Sequence, residues 1–124
     1  MKKYIIFAMV LALILIGCSS KQGSLTVESR EYSGDLSGLE YDSWDKTWVT
    51  AEQGKVFYKN DKHHISATVE SVAGDNIKLH FSNKVVLPER KQENDIFYIM
   101  PGKTYIFIAG GGVSGLEIKV RYTK

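Results

Sequence analysis

Three histidines and one cysteine are the residues of this 124-residue chain from which metal sites and nucleophilic chemistry are usually built. Their spacing decides whether they can act together. His63 and His64 are adjacent, so in a strand they point to opposite faces. His80 falls across a hairpin from residues near 68–70, about 17 Å along the strand from His64 at roughly 3.3 Å per residue. Zinc ligands sit about 2.1 Å from a shared ion. The imidazoles therefore read as solvated strand histidines, and no metal is expected.

Three other patterns fail on chemistry. Gly110-Gly111-Gly112-Val113-Ser114-Gly115 has the G-x-G-x-x-G spacing, but the dinucleotide fingerprint needs a helix to follow and an acidic residue about 20 positions on. Here a strand pattern follows, so the segment reads as a hairpin loop. Asp35, Glu40, Asp42 and Asp45 crowd one Gly/Ser-bearing loop. Calcium takes six to eight oxygen ligands, and this spacing is not that of an EF-hand, so the loop reads as a solvated acidic surface. Ser114 does not sit in G-x-S-x-G, because Gly115 follows it directly. No catalytic residue or cofactor is assigned, and the chain is not expected to be an enzyme.

Cys18 has a different use. Lys2 and Lys3 precede 5–16, a run without a polar side chain. The run is too short for a spanning helix, which needs about 20 residues, but fits a secretory signal. It ends in Leu15-Ile16-Gly17-Cys18, which resembles the lipobox of bacterial lipoproteins. That resemblance implies a diacylglyceryl group on the Cys18 sulfur, cleavage after Gly17, and acyl chains such as palmitate holding the protein to a membrane. It also implies an extracytoplasmic location, on the cell membrane or the outer membrane. Residues 1–17 are then the signal, 18–24 a small polar tether, and 25–124 one domain. Without Lys2 and Lys3 the 16 basic residues become 14, matching the 14 acidic ones. A formally neutral domain gives no reason to expect nucleic acid.

Beyond the tether, short Val-, Ile-, Thr-, Tyr- and Phe-rich stretches alternate with turn residues. Leu116, Ile118, Val120 and Tyr122 alternate with Glu117, Lys119, Arg121 and Thr123, a period of two that buries one face. Further strands are expected at 25–32, 47–51, 56–59, 65–72, 77–81, 96–99 and 104–109. Segment 88–95 mixes charges and reads as a solvated loop. Pro101-Gly102 suits the centre of a type II turn. No window shows a helical period over three turns. The expected fold is all-β, an antiparallel immunoglobulin-like β-sandwich or, alternatively, a small β-barrel. In the 65–81 hairpin the apolar residues are odd-numbered on both sides, so paired numbers must sum to an even value. A three-residue loop within 73–76 satisfies that, with Gly74 or Asn76 left-handed.

A rigid sandwich with recognition loops suits a binding or interaction module that meets an envelope protein, peptide or glycan. Tyr41 and Trp44, in the acidic loop after Tyr32, and Gly111 and Gly112, in the glycine loop, are the candidate contacts. Trp48, between Thr47 and Val49, is expected in the core, and Trp44 is the ring expected to be free. The alternatives are an accessory subunit of an envelope complex that pairs through a sheet edge, and a hydrolase. Inhibitors of cysteine proteases similar to chagasin use an Asn-Pro-Thr-Thr-Gly loop, a Gly-rich loop and an Arg-Pro-aromatic loop. Only the Gly-rich element is present here, since Pro88 and Pro101 lie in other contexts.

The lipobox makes a direct prediction. Cells expressing the chain and fed radioactive palmitate should label it and retain it in the membrane fraction, and Cys18→Ala should lose both. A wild-type chain without label would return 5–16 to an ordinary cleaved signal or an uncleaved anchor.

Overall fold

The computed structural model describes residues 23–35, 37–111 and 113–124. Cys18, the signal at 1–17, most of the tether and Gly112 lie outside the described residues. The domain is all-β. Its strands are β1 (Ser24–Asp35), β2 (Gly38–Tyr41), β3 (Asp45–Thr50), β4 (Val56–Asn60), β5 (Ile65–Ala73), β6 (Asn76–Leu87), β7 (Gln92–Ile99), β8 (Thr104–Gly111) and β9 (Ser114–Thr123). Every strand pairing is antiparallel, along the path β2-β1-β9-β8-β6-β5-β4, with β3 on β1 and β7 on β6. This one sheet curls around a single core, consistent with a sandwich or a small barrel.

The alternation read from the sequence sets the inner face. Leu25 and Val27 of β1, Tyr105, Phe107 and Ala109 of β8, and Leu116, Ile118, Val120 and Tyr122 of β9 are all buried. At the centre sits Phe81, whose ring meets Phe57 at 6.3 Å, Phe97 at 6.0 Å and Phe107 at 4.9 Å between centroids. These phenylalanines come from β4, β6, β7 and β8, so one cluster ties opposite walls of the curl. Edge-to-face rings of this kind add to their area burial.

The curl has a corner in β6. Its first half pairs with β5 and its last residues reach β8 through Val86 and Ile108, while the β6–β7 register shifts between His80 and Val85. Extra residues in one strand bend it and raise its twist. The segment expected to be a loop at 88–95 is a turn only in its first half, and its second half, 92–95, is strand. A single 3₁₀ turn, Pro88–Arg90, precedes β7, which already begins at Gln92. Glu89, Arg90 and Lys91 belong to the turn, and only Glu93 and Asp95 lie on the half-exposed strand.

The β5–β6 hairpin meets the parity rule by another route. Its loop has two residues, Gly74-Asp75, with Gly74 at φ 60°, where a II′ turn wants glycine. Next to the turn the pair sums are odd, as in Val72↔Ile77. A bulge between Val69 and Ser71 then restores even sums, as in Val69↔Leu79 and Ala67↔Phe81. One inserted residue flips every side chain beyond it, so the apolar pairs still face the core. At the other turn, Gly102 takes φ 82°, as a type II centre requires.

Two expectations about tryptophan are overturned. Trp48 is 65% exposed, because β3 pairs with β1 so that Val49 faces Leu25 on the core side and Trp48 faces outward beside Thr26. Trp44 is the half-buried ring. The two should differ from a core phenylalanine in urea unfolding. Phe81→Ala should cost about 3–5 kcal/mol, whereas Trp48→Ala should stay within about 0.5 kcal/mol.

Candidate functional site

The outer face of β1 and β9 is a ladder of opposite charges. Register places Glu28 opposite Lys119 and Arg30 opposite Glu117. Arg30 Nε lies 2.6 Å from Glu117 Oε1, and Lys119 Nζ lies 3.5 Å from Glu28 Oε2. Opposite charges directly across a pair stabilise a sheet, and they fix where the long side chains lie.

Aromatic rings are laid over that ladder. The Arg30 guanidinium sits 4.2 Å from the Tyr41 ring centre and 4.2 Å from that of Trp44. The Lys119 ammonium is 4.1 Å from the Trp44 ring as well. Each such contact contributes about 0.5–1 kcal/mol at an exposed site and more where water is excluded. Trp44 is therefore folded back onto the sheet by two cations, and this is why it is not the free ring. Tyr41 packs against Tyr32 at 5.9 Å and remains 48% exposed. The free aromatic edge here belongs to Tyr41.

The glycine segment lies beside it. Tyr41 pairs with Tyr32, Tyr32 with Gly115, and Gly115 with Gly110, so the two segments expected as loops meet at one end of the sheet, with Tyr41 not in a loop but on β2 and Gly111 on β8. Gly111 is exposed and pairs with Ser114. The glycine that this end requires is Gly115, where a Cβ would stand 2.5 Å from the Tyr32 hydroxyl. Gly110, at φ 90°, is the other. A side chain at 115 would push Tyr32 off the sheet, and Tyr41 with it.

A polar groove of about 230 Å³ opens next to these rings, lined by Glu31, Tyr32, Asp42, Lys62, His63 and Ser114 among others. Sequence reasoning missed the pairing of Glu31 with His63 in this groove. His63 and His64 are not in a strand. They belong to the β4–β5 turn, where His64 takes φ 53° and the Asn60 side chain accepts from the His63 N–H at 3.0 Å. Asn60-Asp61 marks that turn in the sequence, and the turn extends through both histidines. The turn carries His63 to Glu31, with Nε2 3.0 Å from Oε1, and Lys62 donates to Glu31 Oε2 at 3.0 Å. Hydrogen bonds first from Lys62 and then from His63 hold the Glu31 carboxyl below its ordinary 4.5. Partial burial, with Glu117 and Tyr41 adding, pushes the Tyr32 phenol up, so it presents a neutral O–H.

No hydrogen bond joins a serine hydroxyl to His63 among the described residues, and none of their acidic, histidine or cysteine side chains gather in a group of three that would hold a metal ion. The groove is smaller than the roughly 300 Å³ at which ligand pockets begin. A larger concavity of about 500 Å³ at the β1–β2 hairpin is lined mostly by Ser, Gly and acidic residues, with Leu39 its one large apolar side chain.

The Glu31 clasp joins β1 to the β4–β5 turn, and its pH dependence has a definite sign. A carboxyl depressed in the folded state stabilises above its unfolded value, and that contribution is lost as pH falls through the lowered value. The melting temperature should therefore fall on the acid side of 4.5, and Glu31→Gln should make that fall shallower. Melting curves from about pH 3 to 6 check this; equal slopes would remove Glu31 from the balance.

Compared with family models, curated proteins and solved structures, the chain matches none of them, so its function is argued from these residues.

Proposed function

We propose that the chain is a lipid-anchored binding module of the bacterial cell envelope. Acyl groups on Cys18 hold it, and the Tyr41 end of its sheet contacts a protein or peptide partner. The observation that carries the reading is the exposed Tyr41 ring braced by Arg30 and Tyr32. Tyr, Trp and Arg are the residues enriched at the energetic centres of protein interfaces. A ring already fixed by its neighbours loses little side-chain freedom when it is covered. The groove beside it, with Glu31, Lys62 and the Tyr32 hydroxyl, supplies a polar rim.

Pairing through a sheet edge is the weaker alternative. The free edge beyond β1 is broken between β2 and β3 at 42–44 and β4 is only five residues long, whereas β7, eight residues paired among the described residues only with β6, is the edge at which a strand could add. Short and interrupted edges discourage strand addition.

The purified protein should bind isolated envelopes saturably, and Tyr41→Ala should weaken that binding at least about 10-fold, equivalent to about 1.4 kcal/mol. The same change should lower stability by about 1–2 kcal/mol, since it removes one cation–π contact and the ring contact with Tyr32. Protease treatment of the envelopes should abolish binding. Loss on treatment with a glycan hydrolase instead would make the ligand a glycan, and equal binding by Tyr41→Ala would end the reading.

A further inference from the structure

Trp48 has no place in that surface. It lies at the opposite end of the same face, on the rung Trp48–Thr26–Arg121–Thr104. One rung further, Ser24 pairs with Thr50 and Thr123. That is where the chain arrives from Cys18. The Lys46 ammonium lies 5.1 Å from the Trp48 ring, and Arg121 donates to Thr104 Oγ1. Among the described residues neither cation has a carboxylate within ion-pair distance.

Other apolar side chains gather at this end. Met100, 55% exposed, precedes Pro101, which bridges to Tyr122. Val72 is exposed and lines a cavity with Gly23, Ala51 and Tyr122 at the mouth of the curl. Asp75 is held there by Lys124, and Glu52 is the opposing charge.

We propose that this end is a membrane-docking face, with Trp48 seated among lipid headgroups and Lys46 and Arg121 facing an anionic bilayer. The inference rests on the lipid-anchor reading. Five residue steps separate Cys18 from Gly23, a span of at most about 18 Å. Trp48 is three residues along β1 and one strand across from Gly23, roughly 11 Å away. An acyl chain on Cys18 thus holds this end, and not the Tyr41 end, within reach of the bilayer. Tryptophan concentrates at membrane interfaces, where its ring meets both apolar chains and polar headgroups. Each basic side chain near an anionic surface raises the partition about five-fold. Lys46 and Arg121 together give about 30-fold, opposed by Glu52.

The lipidated full-length protein, reconstituted in phosphatidylglycerol-containing vesicles with brominated acyl chains, tests this. Trp44→Phe leaves Trp48 as the reporter, and Trp48→Phe leaves Trp44. Trp48 fluorescence should fall to about half of its value on unbrominated lipid while Trp44 stays unquenched, because only Trp48 faces the interface. Lys46→Glu combined with Arg121→Glu should abolish the quenching while the protein still floats with the vesicles. Flotation with Trp48 unquenched overturns the docking face and leaves the anchor standing. Failure to float overturns the anchor, and the docking face with it.

Discussion

Everything placed on this domain hangs on the pairing of its first strand with its last. β1 and β9 run antiparallel through ten consecutive pairs, from Ser24↔Thr123 to Ser33↔Ser114. Closing that contact brings together residues at opposite ends of the domain sequence, an entropic cost met only once the apolar face of both strands is buried. Leu25, Val27, Ile118 and Val120 supply that burial. The same ladder then sets the outer face in register. Each functional feature occupies a fixed rung: Trp48 and Arg121 near the start of β1, Arg30 and Glu117 in the middle, Tyr32 and Gly115 near its end. A slip of one residue would turn Arg30 and Tyr32 into the core and Leu25 and Val27 into water.

How far this was legible in the sequence depends on whether a feature is local. The alternation in β9 names its buried face outright, and the Phe-bearing strands declare themselves by composition. Trp48 shows the limit. Alternation gives Thr47, Val49 and Ala51 one face and Lys46, Trp48 and Thr50 the other, but not which faces inward. Size argues for tryptophan; the lysine two residues before it argues against. Pairing with β1 decides, because Thr26 already points out between Leu25 and Val27. The hairpin parity is similar. Even sums at the core were required by the pattern, yet a three-residue loop and a two-residue loop with a bulge both meet that requirement. The chain takes the second because Gly74 suits the tighter turn, and the bulge is absorbed at Glu70 on the outer side.

The candidate site was half visible for the same reason. Tyr41, Trp44 and Gly111 were chosen as aromatic and glycine-loop residues, and the β1–β9 ladder sets their segments side by side. Their roles differ from the expectation because cations on β1 and β9 hold the rings. Arg30 and Lys119 reach over the sheet and hold Trp44 down, leaving Tyr41 as the presented edge. Glu31 and His63 were invisible as a pair. They are 32 positions apart, and the left-handed His64 turns the chain so that His63 meets Glu31.

The two ends of β1 also make a mechanical argument. The strand has twelve residues, about 40 Å at roughly 3.3 Å each. On the proposed anchoring, a tether of at most about 18 Å alone would leave the domain free to tumble. The Tyr41 end would then sweep every height from the headgroups upward. Docking through Trp48 would stand the sheet on the bilayer and hold Tyr41, whose partner Tyr32 lies six residues along β1 from the Trp48 partner Thr26, about 20 Å above it. Confinement to one height and orientation raises the effective concentration of the Tyr41 surface for a partner at that distance, and excludes partners nearer the membrane. The outer face would then do two jobs along one ladder, with paired charges between Glu28 and Glu117 keeping its middle neutral and rigid. That spacing of functions needs no hinge and no second domain. It follows from one long strand whose neighbours carry, at one end, two cations with no carboxylate partner among the described residues and, toward the other, a braced tyrosine.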